Sequence, residues 1–126
     1  MDEAAFKQRT KQLALRVIRL TDALPVKPSS SVIGRQLMRC ATSVGANYRA
    51  ACRAKSTADL IAKLSIVEEE ADECLYWLEL LVESVTLPAA KLQALMPETN
   101  EILAMTVASI KTLRRKQTKL KSKTLR

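Results

Sequence analysis

Leu60, Leu64, Val67, Ala71, Cys74, Leu78, Leu81 and Val85 recur at steps of four and three residues. That spacing gathers apolar side chains on one face of a long helix, whereas a strand would need alternation at every second position. A single-faced helix of about four heptads must be covered by other helices. The flanking sequence offers them. Phe6, Leu13, Val17, Leu20 and Leu24, with Thr10 as the polar member, give a first helix from about Asp2 to Leu24, which Pro25 and Pro28 stop. Ser29–Ser31 supply N-cap candidates for a second helix, whose stripe is Ile33, Leu37, Cys40, Val44, Asn47 and Ala51.

Gly34, Ala41 and Gly45 make a row of small residues on this second helix, along which a neighbour could approach closely. Ser56-Thr57-Ala58-Asp59 is a capping-box variant opening the third helix. After the break at Thr86-Leu87-Pro88, Leu92, Met96, Leu103, Ile110 and Leu113 share a face, with Thr99 and Thr106 between them. Pro97 inside this pattern predicts either a kink or a short helix over 89–96 ahead of a main one starting at Pro97. The expected architecture is all-α, an antiparallel up-down-up-down four-helix bundle over residues 1–115, followed by a basic, disordered tail over 116–126. Only two glycines and 3% aromatic residues agree with an aliphatic helical core and argue against a hairpin-rich fold.

Charge is unevenly distributed. Residues 1–110 hold thirteen basic and thirteen acidic side chains, so the net charge of +8 comes entirely from 111–126, which has eight basic residues and no acid. An arm of this kind attracts phosphate backbones or anionic membranes with little sequence preference, and a solvated, frayed terminus is the plain alternative. On the second helix Arg35, Arg39, Arg49 and Arg53 fall within an arc of roughly 80° opposite the apolar stripe. Tyr48 and the small residues around it are expected to leave that region accessible. Guanidinium groups in a row suit planar anionic partners. These are either nucleic-acid phosphates, with Arg114, Arg115, Lys116 and Lys119 of the tail adding contacts, or carboxylates of the third helix, within the chain or across a subunit boundary. Glu68, Glu69, Glu70, Asp72 and Glu73 are the candidates there, and Glu70 shares a flank with Ile66 and Trp77. Apolar groups mixed with charge mark that flank as a surface for self-association. Asn47, an amide on an apolar stripe, is expected to fix helix register or assembly geometry.

Few enzymatic routes are open. The chain has no histidine, so imidazole acid–base catalysis and Ser-His or Cys-His nucleophiles are excluded. Walker A and GxGxxG loops are missing. Glu70-x-x-Glu73, Glu69-x-x-Asp72 and Glu98-x-x-Glu101 could imitate a carboxylate-bound magnesium site, a weak signal because such spacings abound on helices. Cys40, Cys52 and Cys74 form no CxxC pair and read as small buried residues in a reducing compartment. No catalytic residue, metal or cofactor is expected. The N-terminus lacks the apolar run of a signal peptide and no stretch of about 20 apolar residues exists, so the expected location is the cytoplasm without a membrane span.

The segment Gln36–Leu81 carries a resemblance. Its markers are Arg39, Ala41, Ser43 and Val44, then Ala46-Asn47, the Ser56-x-x-Asp59 cap, and Glu69-Glu70-x-Asp72-Glu73 leading to Trp77. The segment resembles a bacterial four-helix-bundle family encoded in intervening sequences of large-subunit ribosomal RNA genes. More distantly it is similar to accessory variability proteins of diversity-generating retroelements. The resemblance implies a homo-oligomer, a pentameric barrel of bundles with a basic surface, and no catalytic residues. In the retroelement relatives that surface meets nucleic acid and a reverse transcriptase. The expected function is therefore non-enzymatic binding of structured RNA or DNA by a homo-oligomer, as an accessory to a nucleic-acid enzyme. The alternative is a protein–protein scaffold whose arginines are used in ion pairs and assembly.

Overall fold

The computed structural model describes residues 2–84 and 86–124. Four helices, α1 (Glu3–Asp22), α2 (Pro28–Ala51), α3 (Thr57–Glu83) and α4 (Leu95–Thr124), pack as a four-helix bundle with no strand among the described residues. Each helix contacts the next in sequence, and α1 closes the ring against α4. Short links force neighbours to run antiparallel. No described helix is long and apolar enough to cross a membrane.

Local chemistry sets the helix ends. Asp2 caps α1 by accepting the Ala4 N–H at 3.0 Å. Helix α2 departs from the expected serine cap: it starts at Pro28, with Lys27 at the N-cap position and no side-chain cap bond. Proline already has the helical φ and lacks only an N–H that the first turn cannot use, so the helix begins one residue before the serines. The Ser56 hydroxyl caps α3 by accepting the Asp59 N–H at 3.0 Å. The Asp59 carboxylate in turn accepts from the Lys55 N–H at 3.1 Å and from Lys63 Nζ at 2.6 Å. The Lys63 bond, and then the backbone bond, hold the Asp59 carboxyl below its ordinary range. Whatever stability this adds is present above the unfolded carboxyl's range and is lost as pH falls through the folded value.

Pro97 does not kink the chain. A single 3₁₀ turn over Ala89–Leu92 comes first, and α4 then starts at Leu95 with Pro97 in its first turn, where the missing N–H breaks nothing. Val85, the last member of the long stripe, lies outside the described residues. The other stripe positions of α3 from Leu64 to Leu81 are buried, and Leu60 packs partly buried against the core. Thr10, Thr99 and Thr106 are buried as well, and each hydroxyl donates to a carbonyl of its own helix, at 3.0, 2.8 and 2.8 Å. Internal satisfaction of this kind lets a hydroxyl sit in an aliphatic core without the penalty of an orphaned polar group.

The small-residue row on α2 meets α1. A methyl group built on Gly45 would lie 3.5 Å from the Thr10 carbonyl oxygen, and one on Gly34 would lie 3.3 Å from a Leu24 methyl. The backbones of α1 and α2 therefore approach closely at Gly45, while Gly34 makes room for side chains at and just beyond the end of α1.

Two expectations for α2 need correction. Tyr48, not Asn47, is the buried member of its stripe, edge-on to Phe6 with ring centroids 4.6 Å apart. It is part of the core and does not open the surface. Asn47 is half-buried and turns back on its own helix, donating to the Ser43 carbonyl at 2.9 Å and hydroxyl at 2.8 Å. Steps of three and four are equally helical, and an aromatic ring with an aromatic partner gains more by burial than an amide does.

Candidate nucleic-acid interface

The four arginines of the expected ridge do not share one rod. Arg35, Arg39 and Arg49 are exposed on α2, but the helix ends at Ala51 and Arg53 lies in the turn beyond. The turn is closed by bonds from the Arg53 N–H to the Ala50 carbonyl and from the Ala54 N–H to the Ala51 carbonyl. The chain must reverse there to bring the α3 stripe back against α2, and Ser56 opens the next helix.

Arg39 is engaged within the chain. Its guanidinium bonds Glu70 at 3.0 Å and also pairs with Glu73, both on α3. Of the two readings for these arginines, carboxylate pairing therefore holds for Arg39, whereas Arg35, Arg49 and Arg53 make no ion pair among the described residues. Arg39 is about half exposed, so the clamp contributes little to stability, on the order of 1 kcal/mol or less. Replacing Arg39 by Ala is expected to lower the unfolding midpoint only slightly and to leave nucleic-acid affinity within about twofold, since its charge is already met by Glu70 and Glu73. A chemical denaturation curve and a binding titration of the variant check both halves.

A second arginine clasp had no counterpart in the sequence reading. Arg9 of α1 holds Glu98 of α4 through two bonds, at 2.5 and 3.1 Å, reaches Glu101 at 3.3 Å, and touches the Met105 sulfur. The spacing Glu98-x-x-Glu101, considered above as half of a magnesium site, receives a guanidinium instead. The signal was present in the paired glutamates, but the partner lies 89 residues away.

The tail is also different from the expectation. Helix α4 runs through Thr124, so the described part of 116–126 is helix continuous with the bundle and not a disordered segment; Leu125 and Arg126 lie outside the described residues. Between Lys111 and Thr124 there is neither glycine nor proline, and Lys, Arg, Leu and Gln carry the helix on. Lys111, Arg114, Arg115, Lys116, Lys119, Lys121 and Lys123 are all exposed, without an ion pair among the described residues. Leu120 is 65% exposed on the continuation of the α4 core face, where the other helices have already ended.

Where α2 stops and α3 begins, α4 leaves the bundle. A groove of about 830 Å³ lies at that end, lined by Glu3 of α1, Tyr48, Ala51, Cys52, Lys55, Ser56 and Leu60 of the α2–α3 corner, and Met105, Ser109 and Thr112 of α4. Burial, followed by the adjacent Cys52, raises the Tyr48 hydroxyl above its usual range. Burial, followed by a bond with Glu3, likewise pushes the Cys52 thiol up. Cys40 and Cys74 are elsewhere, fully buried between α2 and α3 with their sulfurs 3.1 Å apart.

The flank expected to mediate assembly is only partly open. Ile66 is 41% exposed and Tyr76 53% exposed, the latter edge-on to half-buried Trp77 at 5.1 Å. The Trp77 indole nitrogen is buried with no hydrogen-bond partner among the described residues. Glu70, between Ile66 and Trp77 on this face, is already held by Arg39 of the same chain.

Residues 2–108 match the family model described as 23S rRNA-intervening sequence protein. The chain belongs to this family. A similar solved structure is that of a protein of unknown function from the S23 ribosomal protein family of Bacteroides thetaiotaomicron, 33% identical, with a TM-score of 0.81. The likeness covers 88% of this chain and 99% of that one. No curated protein matches. The 23S rRNA-intervening sequence family model stops short of the last part of α4, so the densest basic stretch, from Lys111 onward, lies beyond the matched residues.

Proposed function

We propose that this family member acts by binding structured nucleic acid, without catalysing a reaction, and that it does so as a homo-oligomer. The observation that carries the reading is the basic end of the bundle: α4 leaves it with seven exposed cations over 111–124, none in an ion pair among the described residues, and no acid among them. Arg49, Arg53 and Lys55 stand at the same end. Cations gathered on a projecting helix neutralise several phosphates at once, which is the main source of sequence-independent affinity. Ribosomal RNA, which the description of the matching family mentions without naming a ligand, is the first nucleic acid to test. Arg35 sits fourteen residues before Arg49, about 21 Å along α2, and would reach a second stretch of backbone on the same ligand.

Self-association would use the apolar patch residues Ile66 and Tyr76, exposed on α3, with half-buried Trp77, Glu70 and Asn47 as the other expected assembly residues. Five copies, as the family resemblance implies, would multiply the contacts of each basic end into useful avidity. A nucleic-acid enzyme such as a reverse transcriptase would then be served by the assembled particle. The scaffold alternative draws on the same patch and on Arg39 being consumed by carboxylates.

Binding of a ribosomal RNA hairpin, titrated against salt, tests the proposal. The logarithm of the association constant is expected to fall linearly with the logarithm of salt concentration, with a slope of magnitude about 4 or more. A flat response would favour the scaffold.

A further inference from the structure

The groove at the basic end combines features that a charged surface alone does not need. Its volume of about 830 Å³ falls within the roughly 300–1,000 Å³ range of small-molecule sites. Its wall is apolar at Ala51, Leu60 and Met105, and it is also lined by Glu3, whose carboxylate pairs with Lys7 at 3.4 Å. Met105, Ser109 and Thr112 line it from α4, at steps of four and three residues. The same steps along the same ridge arrive next at Lys116, Lys119 and Lys123, all exposed. On the opposite side Lys55 lines the groove itself, and Arg53 precedes it by two positions. The concavity is thus bracketed by cations from two elements.

We propose that this groove receives an unpaired nucleotide of the nucleic acid whose phosphates the bracketing cations hold. The proposal rests on the nucleic-acid reading above. A base presents apolar faces to the groove wall and amino or ring N–H groups that donate to the Glu3 carboxylate. Phosphates on either side then meet Lys55 and Lys116. An acidic peptide would satisfy the cations but would set a carboxylate against Glu3. Duplexes bind through the same cations with the groove empty, because their bases stay stacked and paired.

Cys52 reports on occupancy. It lines the groove, whereas Cys40 and Cys74 are fully buried, so the folded protein reacts with a maleimide at Cys52 first. A single-stranded RNA of about 12 nucleotides is expected to slow Cys52 alkylation about tenfold, while duplex RNA of equal phosphate content, inorganic polyphosphate and poly-glutamate leave it unchanged. Ala108 is exposed at the groove, so Ala108→Phe narrows it without disturbing the core. That variant is expected to bind single strands about tenfold more weakly and duplexes within about twofold of the parent. Equal protection by polyphosphate, protection by poly-glutamate, or single-strand affinity unaffected by Ala108→Phe would each overturn the groove assignment while leaving nucleic-acid binding intact. Failure of both single strands and duplexes to bind at all would remove the function proposed above together with it.

Discussion

Removal of residues 116–126 is expected to lower affinity for structured RNA on the order of 100-fold near physiological salt and to reduce the salt slope by about 4. The deletion takes away Lys116, Lys119, Lys121, Lys123 and Arg126 and no acidic residue. Its described residues are exposed apart from Gln117, so the bundle core is untouched. Unfolding should therefore shift by about 1 kcal/mol or less, as is usual for surface changes. A filter-binding or fluorescence titration at several salt concentrations reads the affinity, and a thermal melt reads the fold. Unchanged RNA affinity in a folded truncation would transfer the function to the bundle surface.

The second large effect concerns stability. Phe6→Ala is expected to destabilise the protein by about 3–5 kcal/mol. Phe6 is 1% exposed and packs edge-on against Tyr48, joining the first turn of α1 to the last turn of α2. Truncation removes the ring and leaves a cavity between two helix ends that cannot collapse without shifting both. For a chain of this size the melting temperature should fall on the order of 10–20 °C. The effect reaches the basic end, because Glu3 is one turn from Phe6 and lines the groove beside Tyr48. Denaturant titration followed by circular dichroism measures the loss, and a midpoint within about 1 kcal/mol of the parent would show that α1 is not anchored there.

The helices and most of their inward faces were legible in the residues. The α3 stripe is unambiguous because its alternating steps persist over many turns, and the threonines of α1 and α4 kept their stripe positions by bonding their own backbones. The choice between Asn47 and Tyr48 was not legible. Both fit between Val44 and Ala51, and only the presence of Phe6 opposite decides it. Pro28 could have corrected the start of α2, since proline at the first helical position is a recurring signal.

At the candidate site, the tail's charge was plain and its helicity was open to inference from propensity, but a run of like charges resembles a solvated terminus. The clasps were harder. Arg39 with Glu70 and Glu73 was among the pairings the sequence permitted, while Arg9 with Glu98 and Glu101 required knowing that α1 closes against α4. Long-range pairs depend on which helices become neighbours, and local spacing does not encode that. The groove was invisible for the same reason, because three helix ends and the side of a fourth helix build it.

The projecting part of α4 is a rod assembled from mutually repelling units. Arg115, Lys119 and Lys123 follow one another at intervals of four, and Lys111 stands four residues before Arg115. Each such pair of like charges weakens an isolated helix by about 0.2–0.5 kcal/mol. A polyanion laid along the rod would cancel that self-repulsion, so part of the attraction between them would appear as a stiffer rod. Its rigidity then becomes a quantity set by the ligand and by the ionic strength of the solution.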